Sequence, residues 1–244
     1  MREEEYILMD QLEERMWWFQ ALRRIVRIVL TPYLADSDKI FDAGCGTGGM
    51  LQVLEKYFPR IQLYGLDYSF EACKLSRRKT NATIDQGSIM SIPFKNEFFD
   101  VLLSLDVLEH KSVDPSIALN EFNRCLKKGG YLLLNLPAYD WMLSYHDEAV
   151  EQIRRFSVNQ IRKELNSKGF QIIYITYWNS FLFPLMVLRR KIFIRKDRES
   201  DVKSFHPLIE FIFKSFIKLE ECMISWRIFL PFGGSVLVLA KKES

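Results

Sequence analysis

No uninterrupted apolar run in the 244 residues reaches the roughly 18 to 20 that a membrane-crossing helix needs. The opening stretch MREEEYILMDQLEER is acidic and has no apolar centre, so it does not read as a secretory leader. Cysteine is scarce: the four at 45, 73, 125 and 222 have neither C-x-x-C spacing nor the density of a disulfide framework. That pattern points to reduced thiols and a cytoplasmic setting. Charge of one sign is lacking as well, since 34 Lys and Arg against 31 Asp and Glu leave a net +3 with the signs interspersed. No field strong enough to imply a nucleic-acid partner follows from that balance. No metal site is expected. What is abundant is apolar surface, 48% of the residues, enough for one sizeable α/β core.

The informative stretch is KIFDAGCGTGG, residues 39 to 49, where a short apolar run stops on an acid and gives way to glycines. A strand, a glycine turn and then the helical pattern MLQVLEKYF form a nucleotide-binding loop of an α/β sheet. Gly44, Gly46 and Gly48 allow a tight turn and close approach to a ligand. Gly44, Gly46 and Gly49 also satisfy the dinucleotide spacing G-x-G-x-x-G. Asp42 decides between the two readings, because a carboxylate at the strand end repels a pyrophosphate and attracts an ammonium or a sulfonium. The expected ligand is therefore S-adenosylmethionine rather than NAD.

DAGCGTG resembles the first motif of class I S-adenosylmethionine-dependent methyltransferases. The remaining chain follows the order that this resemblance implies. IQLYGLD, residues 61 to 67, ends on Asp67, an acid about twenty residues past the loop that can accept both ribose hydroxyls. Ser69 is expected to cap the next helix. In IDQGSIMSIPF, residues 84 to 94, Ser88 stands where the family usually has an acid facing the adenine amino group, and Ile89 is expected on the adenine face. FDVLLSLDVLEH, residues 99 to 110, begins as a strand covered on both faces. The resemblance places the backbone of Ser104 and Leu105 beside the methionine part and adds Cys45 and Tyr68 to the donor site. Asp106, Glu109 and His110 follow at the edge where open α/β sheets bind ligands.

The expected fold is a Rossmann-like, doubly wound α/β sheet of seven strands, the last antiparallel, with a helical insertion between strands six and seven. It is read as one domain over 1 to 244. Residues 1–38 form a helical lid, 39–180 with 233–244 form the core, and 181–232 form the insertion. Leu12, Met16, Phe19, Leu22, Val26 and Val29 mark one apolar face of a helix over 10 to 30, stopped by Pro32. Trp17 and Trp18 exceed what that face needs and are read as covering substrate. In the insertion, Glu210, Lys214, Lys218, Glu221 and Ser225 form a narrow polar stripe on an otherwise apolar helix, which is expected to bury itself against a neighbour. The apolar run FLFPLMVL beside RRKIFIRKDR leaves three uses open: an intramolecular lid, a homodimer contact, or a peripheral membrane contact.

For chemistry, Trp-Trp-Phe at 17–19, the pair His146-Asp147 and RRFS at 154–157 resemble the small-molecule methyltransferases of that class, which implies His146 and Asp147 as catalytic residues and Arg154 and Arg155 as acceptor anchors; His110 is read at the acceptor from its place at the sheet edge. The acceptor is expected to be a small molecule or lipid-like compound, methylated on oxygen. Two other readings stay open: an enzyme acting on nucleic acid, and a donor-binding partner protein without catalysis. Against the first, SLDVLEH stands where amino-directed nucleic-acid enzymes of this fold carry Asn/Asp-Pro-Pro-aromatic.

Overall fold

The computed structural model describes residues 3–143, 151–191 and 207–243. In chain order the helices and strands are α1 (Glu3–Leu12), α2 (Trp17–Leu30), β1 (Lys39–Ala43), α3 (Gly49–Tyr57), β2 (Gln62–Asp67), α4 (Phe70–Lys79) and β3 (Thr83–Gln86). There follow β4 (Phe99–Leu105), α5 (Pro115–Cys125), β5 (Leu126–Pro137), α6 (Val158–Ser167), β6 (Phe170–Trp178), α7 (Phe183–Lys191), α8 (Pro207–Ser225) and β7 (Ser235–Lys242). The strands make one sheet in the order β3-β2-β1-β4-β5-β7-β6. All pairings from β3 to β5 are parallel, and β7 runs antiparallel to both β5 and β6. This is the expected doubly wound sheet with its last strand reversed.

Burial explains the strand compositions. Val101, Leu102 and Leu103 of β4 alternate between two apolar layers, so a strand covered on both faces is apolar throughout. Local chemistry sets several helix starts: Ser69 accepts from the Ala72 amide, Asp114 accepts from Ser116 and Ile117 ahead of Pro115, and Ser157 with Gln160 closes a capping box on α6.

Two expectations are corrected. The single helix over 10 to 30 is two helices, broken at residues 13 to 16. The break turns Glu13 inward, where it pairs with Arg23 and Lys79 and accepts from Thr47 Oγ1 at 2.7 Å. The apolar face of α2 is accordingly Trp17, Ala21, Leu22, Ile25, Val26 and Val29, with Met16 and Phe19 only half-buried. The second correction concerns α8. Phe213, Ile217 and Ile224 are buried against the body of the protein, yet Ile212, Phe216 and Leu219 remain exposed. The helix buries one face and leaves a second apolar face uncovered.

Candidate active site

The C-terminal ends of β1, β2 and β4 converge on the glycine turn, and a cavity of 780 Å³ opens above them. The turn is held open by left-handed backbone. At Gly44, φ is +90° and a Cβ would collide with Val107. At Gly46, φ is +53° and its amide donates to Asp67 Oδ2 at 2.9 Å, a conformation that a side chain would strain.

Asp42 and Asp67 face each other across this turn. Asp67 also accepts from the Ser69 amide at 2.9 Å and from the Tyr6 hydroxyl of α1. Burial pushes the Asp67 carboxyl above its ordinary range, partly offset by the Ser69 and Gly46 amides. Asp42 has no such relief. It is buried, its Oδ1 lacks a hydrogen-bond partner, and burial with the Asp67 charge pushes its carboxyl up to about 7. A buried carboxyl with an unpartnered oxygen beside an open cradle can accept a cation there, which would favour its ionised form.

Of the residues expected at the donor, Asp42, Gly44, Cys45, Gly46, Asp67, Tyr68, Ser88, Ile89 and Leu105 line the cavity. Gly48 and Ser104 do not. Gly48 caps α3 behind the turn, packed on Ser76, and the buried Ser104 Oγ has no partner. Among the expected acceptor residues, Trp17, Trp18, His110 and Arg155 line the cavity. Trp18 also stacks on Trp178, with ring centroids 5.9 Å apart. Arg154 lies off the cavity and donates to the carbonyls of Leu108 and Val113, bracing the loop after β4. His146 and Asp147 lie outside the described residues.

Four further groups enter the site. Tyr6 and Glu13 belong to α1 and its exit, and no spacing in the acidic N-terminus singles them out. Asp106 follows β4 with φ +55°, and its Oδ2 accepts from Asn135 Nδ2 at 2.8 Å. Asn135 in turn accepts from Trp178 Nε1 at 2.7 Å, so a chain of side-chain hydrogen bonds from β6 through β5 fixes Asp106. Burial drives the Asp106 carboxyl up to about 7 against the opposing pull of Asn135 and the Arg155 charge. Asn179, at the end of β6, lines the cavity with a buried Oδ1 that has no hydrogen-bond partner. The sheet order divides the cavity. β1 and β2 carry the polar cradle, the ends of β5, β6 and β7 carry the far wall, and β4 with Asp106 lies between them. The far end is mostly apolar, lined by Trp17, Leu182, Leu185, Met186 and Phe213, with Asn179 and Ser235 as its polar exceptions.

A glycine cradle with two acids at the edge of a sheet whose seventh strand is reversed is the architecture of the class I, S-adenosylmethionine-dependent methyltransferase fold. Residues 41–134 match the family model described as a methyltransferase domain, and the chain carries that domain. It is similar to the uncharacterised protein MJ1252 of Methanocaldococcus jannaschii, 27% identical over 84% of this chain and 81% of that one. It is also similar to a fatty-acid O-methyltransferase of Mycolicibacterium smegmatis, 26% identical over 51% of this chain and 48% of that protein. Two other curated relatives are matched over 40% and 56% of their own length. Among solved structures, geranyl diphosphate methyltransferase in complex with S-adenosylmethionine superposes with a TM-score of 0.65 at 14% identity, covering 92% of this chain and 86% of that one.

Proposed function

We propose that the protein methylates an oxygen of an apolar small molecule or lipid-like acceptor. The observation that carries this reading is the continuity of the cavity, polar over the glycine turn and mostly apolar at the far end, with Asp106 at the junction. Similarity to a fatty-acid O-methyltransferase supports the same acceptor class.

The residues fit S-adenosylmethionine. Asp42 would face its cationic part, Asp67 its ribose hydroxyls, and Ile89 the adenine. When bound, it supplies a methyl group already activated by the sulfonium, so the chain's own work is alignment, worth roughly 7 to 11 kcal/mol in well-oriented systems. Trp17, Leu182 and Phe213 exclude water and hold the apolar body of the acceptor. Asp106 takes up the proton of an acceptor hydroxyl at a carboxylate oxygen. Asn135 and Trp178 keep it in place, and a carboxyl at about 7 is matched to proton transfer near neutrality. Arg155, beside it, neutralises an acceptor that arrives as a carboxylate. Helices α1 and α2 form the roof over the donor.

The test supplies radiolabelled S-adenosylmethionine with 4-nonylphenol, decanoic acid, bulk tRNA and a protein extract. Label in the organic phase is expected from one or both apolar probes. Asp106→Asn should lower transfer to the phenol by about 10² to 10⁴ and leave transfer to the acid nearly unchanged. Label confined to tRNA or protein would sink the reading.

A further inference from the structure

The uncovered apolar face belongs to α7, α8 and the loop leading into β7. On α8, Ile212, Phe216 and Leu219 lie on one helical flank, and Trp226, 72% exposed, continues it just past the helix end. The opposite flank is polar and tied down, with Glu221 accepting from Arg24 of α2 at 2.7 Å. Phe181 stacks on Phe216 at 5.9 Å and carries the apolar surface across to α7, where Leu185 and Leu188 are exposed. Phe229 and Phe232 extend it toward β7. Monomeric soluble proteins seldom leave a contiguous surface of this kind uncovered without a use for it.

Charge identifies the occupant. Residues 183 to 218 hold nine Lys and Arg against four Asp and Glu, so this one segment's net +5 exceeds the +3 of the whole chain. A second copy docking about a two-fold axis would set +5 against +5. An anionic bilayer instead offers hydrocarbon for the apolar flank and negative headgroups for a segment whose sequence carries this excess of lysine and arginine. Exposed Trp226 has the amphipathic, aromatic character that settles at a lipid–water interface, and exposed Phe229 adds apolar ring surface. No helix among the described residues is long and apolar enough to cross a membrane, so the contact lies on the surface.

The face also meets the cavity. Leu185 is half exposed on the outer surface and lines the cavity wall, with Leu182 and Met186 of the same segment further in. We infer that the face formed by α7, α8 and the loop before β7 docks on an anionic membrane and opens the apolar end of the cavity toward the bilayer. The role of that mouth rests on the reading of an apolar acceptor; the docking does not.

The experiment is co-flotation of the full chain with phosphatidylglycerol–phosphatidylcholine vesicles and with phosphatidylcholine alone, at low and at high salt, with no acceptor present. Flotation with the anionic vesicles at low salt, lost at high salt, is expected, together with a blue shift of tryptophan fluorescence. Trp226→Glu and Phe216→Glu should each weaken vesicle binding at least tenfold and leave the affinity for S-adenosylhomocysteine unchanged, which also shows that the variants are folded. Recovery in the soluble fraction with anionic vesicles at low salt would overturn the inference. So would unaltered flotation of both variants, or a dimer in light scattering that Phe216→Glu dissociates. Vesicle binding without methylation of any apolar probe would refute the proposed function and leave the docking surface standing.

Discussion

Asp42 ties donor binding to pH in a way that can be worked out in advance. In the free protein its carboxyl is held up at about 7, first by burial and then by the charge of Asp67. A cation brought to its unpartnered oxygen favours the ionised form and draws that value down, so binding releases a proton wherever the free carboxyl is protonated. With a free value near 7, about one molecule in eleven is ionised at pH 6 and about ten in eleven at pH 8, so affinity should improve about tenfold between them, or about 1.4 kcal/mol. Calorimetry with S-adenosylhomocysteine in two buffers of different ionisation enthalpy reads both the affinity and the proton released. Asp42→Asn should bind roughly ten- to a hundredfold more weakly at pH 8, the loss of one charge-assisted contact, and should lose most of the pH dependence. The same group acts on stability with the opposite sign. A folded value above the unfolded one means the native state holds the proton longer, so stability is present below pH 4 and declines as pH rises toward 7. The full penalty is about 4 kcal/mol at most, and Asp42→Asn should raise the melting temperature at pH 8 and not at pH 4. An affinity that stays flat from pH 6 to 8 with no proton released would refute the electrostatic account of Asp42.

Three other substitutions test the rest of the site. Asp67→Ala removes the acceptor of the Gly46 and Ser69 amides and the acceptor proposed for the ribose, and should weaken S-adenosylhomocysteine at least tenfold; an unchanged affinity removes Asp67 from the donor site. Tyr6→Phe deletes a hydroxyl that competes for the same carboxylate, so binding should tighten several-fold in calorimetry, and weakening would show that Tyr6 assists the donor instead. Glu13→Gln leaves Arg23 and Lys79 without their shared counter-charge, which should loosen α1. Hydrogen exchange over residues 3 to 12 should rise well before that of β1, and equal protection in both proteins would contradict the role given to Glu13.

The sheet and its glycine turn were legible because they are written locally. Apolar runs that stop on Asp42 and Asp67 mark strand ends, and glycines mark backbone that no other residue can adopt. The capping pairs at Ser69 and Ser157 are local in the same sense. The helix break at residues 13 to 16 was not legible, because its cause is tertiary: Arg23, Thr47 and Lys79 draw Glu13 inward from three separate elements. Asn135 was hidden for a similar reason. Within YLLLNLP it reads as one polar residue in a buried strand, and only the pairing of β4, β5 and β6 through β7 brings Asp106 and Trp178 to it. The exposed flank of α8 was not legible because an apolar helix predicts burial, and nothing in the spacing of Ile212, Phe216 and Leu219 separates them from the buried Phe213, Ile217 and Ile224.

The reversed β7 has a consequence for how the molecule is made. It lies between β5 and β6 and pairs along its length with both, yet it is synthesised after α7 and α8. Until it arrives, β5 and β6 cannot be neighbours, and each presents a bare apolar edge to the nascent chain and to other chains. Val236, Leu237, Val238 and Leu239 are all fully buried, so an emerging ribosomal product must keep its partial sheet from self-association while the strand that closes it is still being translated. Substitutions along β7 should therefore lower soluble yield in the cell far more than they alter the chemistry of protein that has already folded.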